Sequence, residues 1–358
     1  MCKAKVNFSL RTMPQHDAKV RFAILGTGMV ARYHRDAILA NEQNGAELAA
    51  VVHHDSARFA ALAEQYGVPC ISEAEMLDRP NIDVVCICTP SGQHAEQAIA
   101  AARAGKHVLV EKPIALTLED ADRMISACRD AGVKLGVVFQ RRAEPLFQRI
   151  RQAVQAGDLG ALTLGVVTLP YFRGQAYYDS AAWRGTWALD GGGVLMNQGI
   201  HIIDLLLWYM GDPVEISAFA GTLHRDIEVE DVAAATLRFG NGALATITAT
   251  TTAEPGFPHR LEIYGTNGGI QIEGEAVTRW TLAHPEQAQV QPYGISEMAG
   301  AGSGGDPRGI SASGHTKIVT DFIGAIRENR PPMADGEEGR RSLAAILGIY
   351  ESAGTRVA

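Results

Sequence analysis

The sequence predicts a two-domain α/β protein: a parallel sheet covered by helices on both faces, then an α+β domain on a large, mostly antiparallel open sheet. Three observations carry this. The chain has 358 residues, more than one compact core usually organises. Up to residue 142 it alternates strand-like and helix-like runs, the grammar of βαβ units. Further on, β-type runs succeed one another with few helices between them, which favours antiparallel pairing. The expected boundaries are a disordered tail over 1–18, a first domain over 19–142 and a second over 143–358, whose last helix is free to pack back on the first.

Taken in order, KVRFAILGTG (19–28) is an apolar β run ending in glycine, followed by a helical stretch to about Asn41. ELAAVV (47–52) is a second strand, and SARFAALAEQYG a helix closed by Gly67. IDVVCICTP (82–90) is a third strand, HAEQAIAAARAG a helix capped by Gly105, and HVLVEKP (107–113) a fourth strand. Thr117, with Asp120 three residues on, is placed to cap the next helix. KLGVVFQRR (134–142) is the fifth strand.

A helix, EPLFQRIRQAVQAG, then leads into ALTLGVVTLPYF, a β run with no crossover helix after it. In LDGGGVLMNQGIHIIDLL (189–206), three glycines precede a helix on which Asn197, His201 and Asp204 share one face at i, i+4 and i+7. Five β-type runs follow, and FGNGALATI carries the Asn-Gly turn of a hairpin. AGAGSGGDPRGISASG (299–314) reads as a flexible loop long enough to be a lid, and two helices close the chain.

The composition, 46% hydrophobic and 20% charged, is that of an ordinary globular protein. A net charge of −8 argues against nucleic acid, whose binders show a basic face. No apolar run approaches the roughly 18–20 residues that span a bilayer, and MCKAKVNFSLRTMPQHD lacks the apolar stretch of a signal peptide. Five scattered cysteines offer no pair at zinc spacing, so neither membrane nor metal is expected, and the expected compartment is the cytoplasm.

Chemistry enters at AILGTGMVARYH. Gly26-x-Gly28-x-x-Ala31 falls between a strand and a helix of a βαβ series, the setting in which it marks a Rossmann dinucleotide-binding turn. Gly26 allows the tight turn, Gly28 lets backbone approach a pyrophosphate, and Thr27, Met29 and Val30 complete the cradle at the helix start. An acidic residue usually ends the second strand, binding the ribose 2′-hydroxyl and repelling a 2′-phosphate. Here that strand ends AAVVHHDSAR: His53 holds the acidic position, His54 and Asp55 stand behind it, and Arg58 lies one turn on. The expected cofactor is therefore NAD or NADP, with NADP accepted unless Asp55 takes the acidic role.

The chain resembles the glucose–fructose oxidoreductase / inositol dehydrogenase / rhizopine catabolism (Gfo/Idh/MocA) family of nicotinamide-dependent oxidoreductases. The likeness rests on GTGMVA (26–31), CTPSGQHAEQAIAAARAGKHVLVEKPIALT (88–117), GGGVLMNQGIHIIDLLLW (191–208) and the closing PMADGEEGRRSLAAILGIYESA. It extends over nearly all of the chain from Lys19. YYDSAAWRGTWALDGGGVLMNQGIH further resembles the subgroup containing UDP-N-acetylglucosaminuronate 3-dehydrogenases.

The resemblance implies hydride transfer between NAD(P) and a secondary hydroxyl of a sugar, sugar acid or nucleotide sugar. It gives Lys112 of the EKP motif a place near the nicotinamide ribose and the substrate hydroxyl, with Lys112–Pro113 a candidate cis bond. Thr89, Pro90 and His94 match the cofactor loop, with Glu111 and Gln140 as further cofactor contacts. His201 matches the catalytic histidine, and Asn197 stands where many members have aspartate, leaving it a neutral hydrogen-bonding role. An imidazole base beside an ammonium suits the loss of a hydroxyl proton.

Gly191–Gly193 are expected to let backbone pass close to nicotinamide or sugar. Arg141, Tyr171, Arg173, Tyr178, Trp183, Arg184 and His315 are the candidate sugar contacts. Asp204 is expected to orient a neighbouring group or to cap locally. A metal held by Asn197, His201 and Asp204 is disfavoured, because asparagine is a poor ligand and nothing completes the set. The family habit of associating through open sheet faces implies a homodimer or homotetramer. Two other readings stay open: an enzyme that recycles a tightly bound nicotinamide, as glucose–fructose oxidoreductases do, and a non-catalytic dinucleotide-binding redox sensor.

Overall fold

A computed structural model describes residues 19–292 and 313–355. The first sheet has six parallel strands: β1 (Val20–Leu25), β2 (Ala46–Val52), β3 (Cys70–Ile71), β4 (Val84–Ile87), β5 (His107–Val110) and β6 (Leu135–Val137). Their spatial order, β3-β2-β1-β4-β5-β6, reverses between β1 and β4, which opens a crevice at the carboxyl ends of those strands. Helices α1 (Met29–Ala40), α2 (Phe59–Tyr66), α3 (Glu73–Asp78), α4 (His94–Arg103) and α5 (Leu118–Asp130) connect them. β4 is buried along its whole length, as a strand covered on both faces must be. The sheet has one strand more than the sequence predicts. β3 is two residues pairing with Val51 and Val52, too short to show any periodicity. Thr117 caps α5 as expected, its Oγ1 accepting from the Asp120 N–H at 3.1 Å.

The chain then forms α6 (Pro145–Ala156), β7 (Leu162–Pro170), α7 (Gln175–Asp179), a π-helical turn (Val194–Gly199) and α8 (Ile200–Met210). A run of strands follows: β8 (Pro213–Gly221), β9 (Val232–Phe239), β10 (Leu244–Thr250), β11 (Arg260–Gly265), β12 (Gly268–Glu273) and β13 (Ala276–Leu282). They make a seven-stranded sheet with β7, in the order β13-β12-β11-β7-β10-β9-β8. All neighbours are antiparallel except β7 and β10, which run parallel from the Leu164–Leu244 pair onward. One face of this sheet packs on α8: Ala233, Ala235, Leu237 and Phe239 of β9 share a core with Ile202 and Leu206.

Two closing helices, α9 (Ser313–Arg327) and α10 (Gly336–Ala353), bind the halves together. Ile318, Val319, Phe322 and Ile323 of α9 enter the core of Phe22, Ile24 and Leu109, while Leu343, Ile346, Ile349 and Tyr350 of α10 join the core of α8. A buried charge cluster reinforces the junction. The Arg142 guanidinium, just past β6, donates two 2.7 Å bonds to Asp204 of α8 and lies 2.6 Å from Glu338 of α10. The Ser342 hydroxyl adds a 2.8 Å bond to Asp204.

The expected tail over 1–18 lies outside the described residues, as does the expected lid, except for Ser313 and Gly314, which open α9. Among the described residues no helix is long and apolar enough to cross a membrane.

Candidate active site

A cleft of about 970 Å³ runs along the carboxyl ends of β1, β2, β4 and β5 and reaches the start of α8. That is the upper end of the roughly 300–1,000 Å³ usual for ligand sites. Gly26, Thr27, Gly28, Met29 and Val30 line one stretch of it. Gly26 has φ +97°, and a Cβ there would press on the Cys88 carbonyl at 2.8 Å. Gly28 differs: a Cβ on it would meet nothing within 4 Å, only the open cleft. The first turn of α1 carries no acidic residue and its N-cap makes no side-chain bond, so its N–H donors are not capped by a side chain. This fits a dinucleotide pyrophosphate. Beyond it, His53, His54 and Arg58 line the cleft past the end of β2. Asp55 does not; its carboxylate accepts from the Ala57 N–H at 3.0 Å.

Thr89, Pro90, His94, Glu111, Lys112 and Gln140 also line the cleft, and the Lys112–Pro113 bond is cis. His94 is a brace, its ring nitrogens 2.9 and 3.1 Å from the carbonyls of Pro113 and Thr89. Glu111 is committed to other side chains: Oε1 lies 2.9 Å from His34 Nε2 and 3.4 Å from His315 Nε2. Burial raises the Glu111 carboxyl, but His315 and His34 outweigh it and hold the group well below its ordinary value. His315 also lines the cleft, where it stacks on Tyr33 of α1 with ring centroids 5.5 Å apart. The ligand-type atoms of His34, Glu111 and His315 lie within 4.8 Å of one another, the closest grouping of potential metal donors among the described residues.

The far end of the cleft brings Lys112, Asn197 and His201 together. Lys112 Nζ donates to the Asn197 carbonyl at 2.7 Å, and Asn197 Nδ2 donates to Asp190 Oδ1 at 2.6 Å. Asp190 also accepts the Gly185 N–H at 2.9 Å. Sequence reasoning missed this residue, although it stands directly before the three glycines. Desolvation in the cleft pushes His201 well below its ordinary pKa, and the Lys112 and Arg141 cations push it further. Desolvation also lowers Lys112, against Glu111 and Asp190, which raise it. The result is a neutral imidazole beside a cation, an arrangement able to take a proton while steadying an oxyanion.

The shared face expected of Asn197, His201 and Asp204 forms only in part: Asn197 and His201 both line the cleft, and Asp204 does not. Asn197 lies in a π-turn that runs to Gly199, wider than an α-turn, while Asp204 is buried against Arg142. The three glycines do not line the cleft either. A Cβ on Gly191 would overlap Leu116, on Gly192 the Tyr350 hydroxyl, and on Gly193 the Glu230 carbonyl. They allow close packing of protein on protein, not the approach of backbone to a ligand. Buried Glu230 ties this turn down, accepting the N–H groups of Gly193 and Leu195 at 2.8 and 2.9 Å and the Tyr350 hydroxyl at 2.9 Å.

Arg141, Tyr171, Arg173, Trp183 and Arg184 line the wall around His201. Tyr178 does not: its hydroxyl turns inward to Thr251 at 3.1 Å, and Tyr177 takes the place in the wall. Adjacent residues on a helix diverge by roughly 100°, so only one of the two can face the cleft. The Arg184 guanidinium lies between the rings of Tyr177 and Trp183, 4.3 and 4.5 Å from their centroids, and donates to the Tyr177 hydroxyl at 2.6 Å. Arg141 pairs with Glu275 at the β12–β13 turn.

Two family models match in succession: "Oxidoreductase family, NAD-binding Rossmann fold" over residues 20–139 and "GFO/IDH/MocA C-terminal domain" over 147–271. The chain belongs to the Gfo/Idh/MocA family. Its first domain is accordingly a nicotinamide-dinucleotide-binding domain of an oxidoreductase. Relatives in the family include the 1,5-anhydro-D-fructose reductase of Ensifer adhaerens, 32% identical over 94% of this chain and 96% of that one. The myo-inositol 2-dehydrogenase of Thermotoga maritima is 27% identical over 92% and 94%. Among solved members, the WlbA dehydrogenase of Bordetella pertussis in complex with NADH and UDP-GlcNAcA superimposes with a TM-score of 0.82. It is 34% identical and covers 94% of this chain and 97% of its own.

Proposed function

We propose that this protein transfers hydride reversibly between a nicotinamide dinucleotide and a secondary hydroxyl of an acidic sugar or nucleotide sugar. The observation that carries the reading is the pairing of a neutral His201 with Lys112 at the end of the cleft that opens from the Gly26–Gly28 turn. Bound nicotinamide supplies the hydride acceptor in oxidation and the donor in reduction. His201 takes the hydroxyl proton as the carbon–hydrogen bond breaks, leaving a ketone, and returns it in the reverse direction. Lys112 spends one of its three N–H donors on the Asn197 carbonyl, which aims the others at the developing alkoxide. Asn197, held by Asp190, orients the substrate through its remaining amide hydrogen and oxygen.

Arg173 and Arg184 favour a substrate with an anionic group, and the UDP-GlcNAcA bound by the Bordetella protein is of that kind. Open hydrophobic side chains on the seven-stranded sheet, Val214, Phe219, Leu164 and Leu244, support association with a second copy. Sedimentation as a monomer at micromolar concentration contradicts that. The described cysteines are all free and buried, which supports a cytoplasmic location.

The test is a panel of neutral sugars, uronates and UDP-GlcNAcA, read by the absorbance of reduced nicotinamide. Acidic members are expected to turn over, and Arg184→Lys to raise their KM about tenfold while neutral sugars stay unaffected. Equal losses on neutral and acidic sugars overturn the acidic reading.

A further inference from the structure

The end of the cleft beyond β2 is built from donors with too few acceptors. Rossmann sites that hold NAD place a carboxylate there, to accept the ribose 2′-hydroxyl. In this chain His53 follows the last residue of β2, and its buried ring lines the cleft beside His54 and Arg58. The nearest carboxylate in sequence is Asp55, and it caps the Ala57 N–H in the short 3₁₀ turn over Ser56–Arg58. Held by that cap, Asp55 does not line the cleft, whereas Arg58 of the same turn does.

The hydrogen bonds of the His53 ring leave one donor over. Asp55 N–H points at Nδ1 from 3.0 Å, and Arg58 Nη1 approaches Nε2 at 3.2 Å. A neutral imidazole has one acceptor nitrogen and one N–H. With the proton on Nε2, that N–H faces the Arg58 guanidinium. With it on Nδ1, it turns to the Asp55 carbonyl at 3.3 Å and the Asp55 N–H loses its acceptor. Among the described residues Arg58 makes no ion pair, and His54 stacks on His53 with ring centroids 4.4 Å apart. An oxyanion at this position accepts from Arg58 and from the imidazoles at once, which resolves the mismatch.

We infer that His53, His54 and Arg58 form a binding site for the 2′-phosphate of NADP(H), so that the protein binds NADP(H) at least as tightly as NAD(H). The inference rests on the nicotinamide-dependent reading above and specifies its cofactor. NAD(H) finds no carboxylate to accept its 2′-hydroxyl here, whereas the phosphate gains a permanent cation and imidazole donors.

Calorimetric titration of the full-length protein with NAD⁺, NADP⁺, ADP and 2′,5′-ADP tests it without reference to turnover. NADP⁺ is expected to match or exceed NAD⁺ in affinity, and 2′,5′-ADP to bind more tightly than ADP. Arg58→Ala should weaken NADP⁺ about tenfold or more and NAD⁺ by less than about threefold. His53→Asp should reverse the order of the two cofactors. Weaker binding of NADP⁺ than NAD⁺ by the unmodified protein overturns the inference while leaving the oxidoreductase reading intact. So does an Arg58→Ala protein that loses affinity for both equally. Failure of every nucleotide to bind overturns the oxidoreductase reading itself.

Discussion

Two glycine-rich turns frame the cleft, and they use glycine for opposite reasons. At Gly28 a side chain would find only the open cleft, in the space that the proposed dinucleotide needs. At Gly193 a side chain would strike the Glu230 carbonyl, so the missing Cβ is room already taken by protein. In the proposed reading the first turn presents backbone to the cofactor. The second presses a π-turn against Glu230 and Tyr350, and thereby sets where Asn197 and His201 sit. A glycine motif thus does not announce a ligand: at Gly193 the place of the absent Cβ is already taken by protein.

Substitutions separate the two uses. The largest effect belongs to Gly193→Ala, which must push the π-turn off Glu230. A shift near 1 Å at a catalytic group costs about 10² in rate, so kcat/KM should fall at least that far. Overpacking of about 1–3 kcal/mol should lower Tm, with cofactor affinity within about threefold of normal by calorimetry.

Glu230→Gln comes next, and its signature is in pH. Burial raises the Glu230 carboxyl to about 7, from 4.5, despite three stabilising donors. A carboxyl raised on folding binds its proton more tightly in the native state. Its contribution to stability is complete below pH 4.5 and is lost as pH rises through about 7, on the order of 3 kcal/mol. The Tm advantage of the unmodified protein over Glu230→Gln should therefore shrink across that window. A constant difference between the two thermal profiles shows that Glu230 does not titrate there.

Gly28→Ala should have the smallest effect. Its φ of −72° suits alanine and nothing crowds the new methyl, so Tm should move by less than about 2 °C. Dinucleotide affinity should still fall about tenfold, because the methyl occupies the approach of the pyrophosphate. A Gly28→Ala protein with unchanged affinity breaks the contrast between the turns.

What the sequence disclosed follows the range of the contacts involved. The βαβ series, the Gly26–Gly28 turn and the cap at Thr117 are set within a few neighbouring residues, and they were legible. Lys112 and His201 could be named from motifs, but their convergence depends on packing across 85 residues or more, as the bond from Lys112 to Asn197 does. Asp190 was hidden because nothing in the chain says which amide a carboxylate will meet. The triple glycine was misread because Glu230, its contact, lies 37 residues away from Gly193. Tyr178 was preferred to Tyr177 because a five-residue helix is too short for periodicity to tell which side faces inward. The seven-stranded sheet kept its parallel β7–β10 pair out of sight for a similar reason, since local strand signals carry no direction.

The central chemical claim is that His201, kept neutral by desolvation and by Lys112 and Arg141, is the base. The most direct test is the single-turnover rate of substrate oxidation by the cofactor-loaded protein across pH, beside His201→Ala. A pKa held below the ordinary imidazole value of 6.5 keeps the base deprotonated at lower pH. The rate should therefore stay level as pH falls to 6.5 and decline only below it, while His201→Ala loses about 10²–10⁴ in rate and that acid limb with it. Half-loss of rate at or above pH 6.5, or an acid limb that survives in His201→Ala, contradicts the assignment.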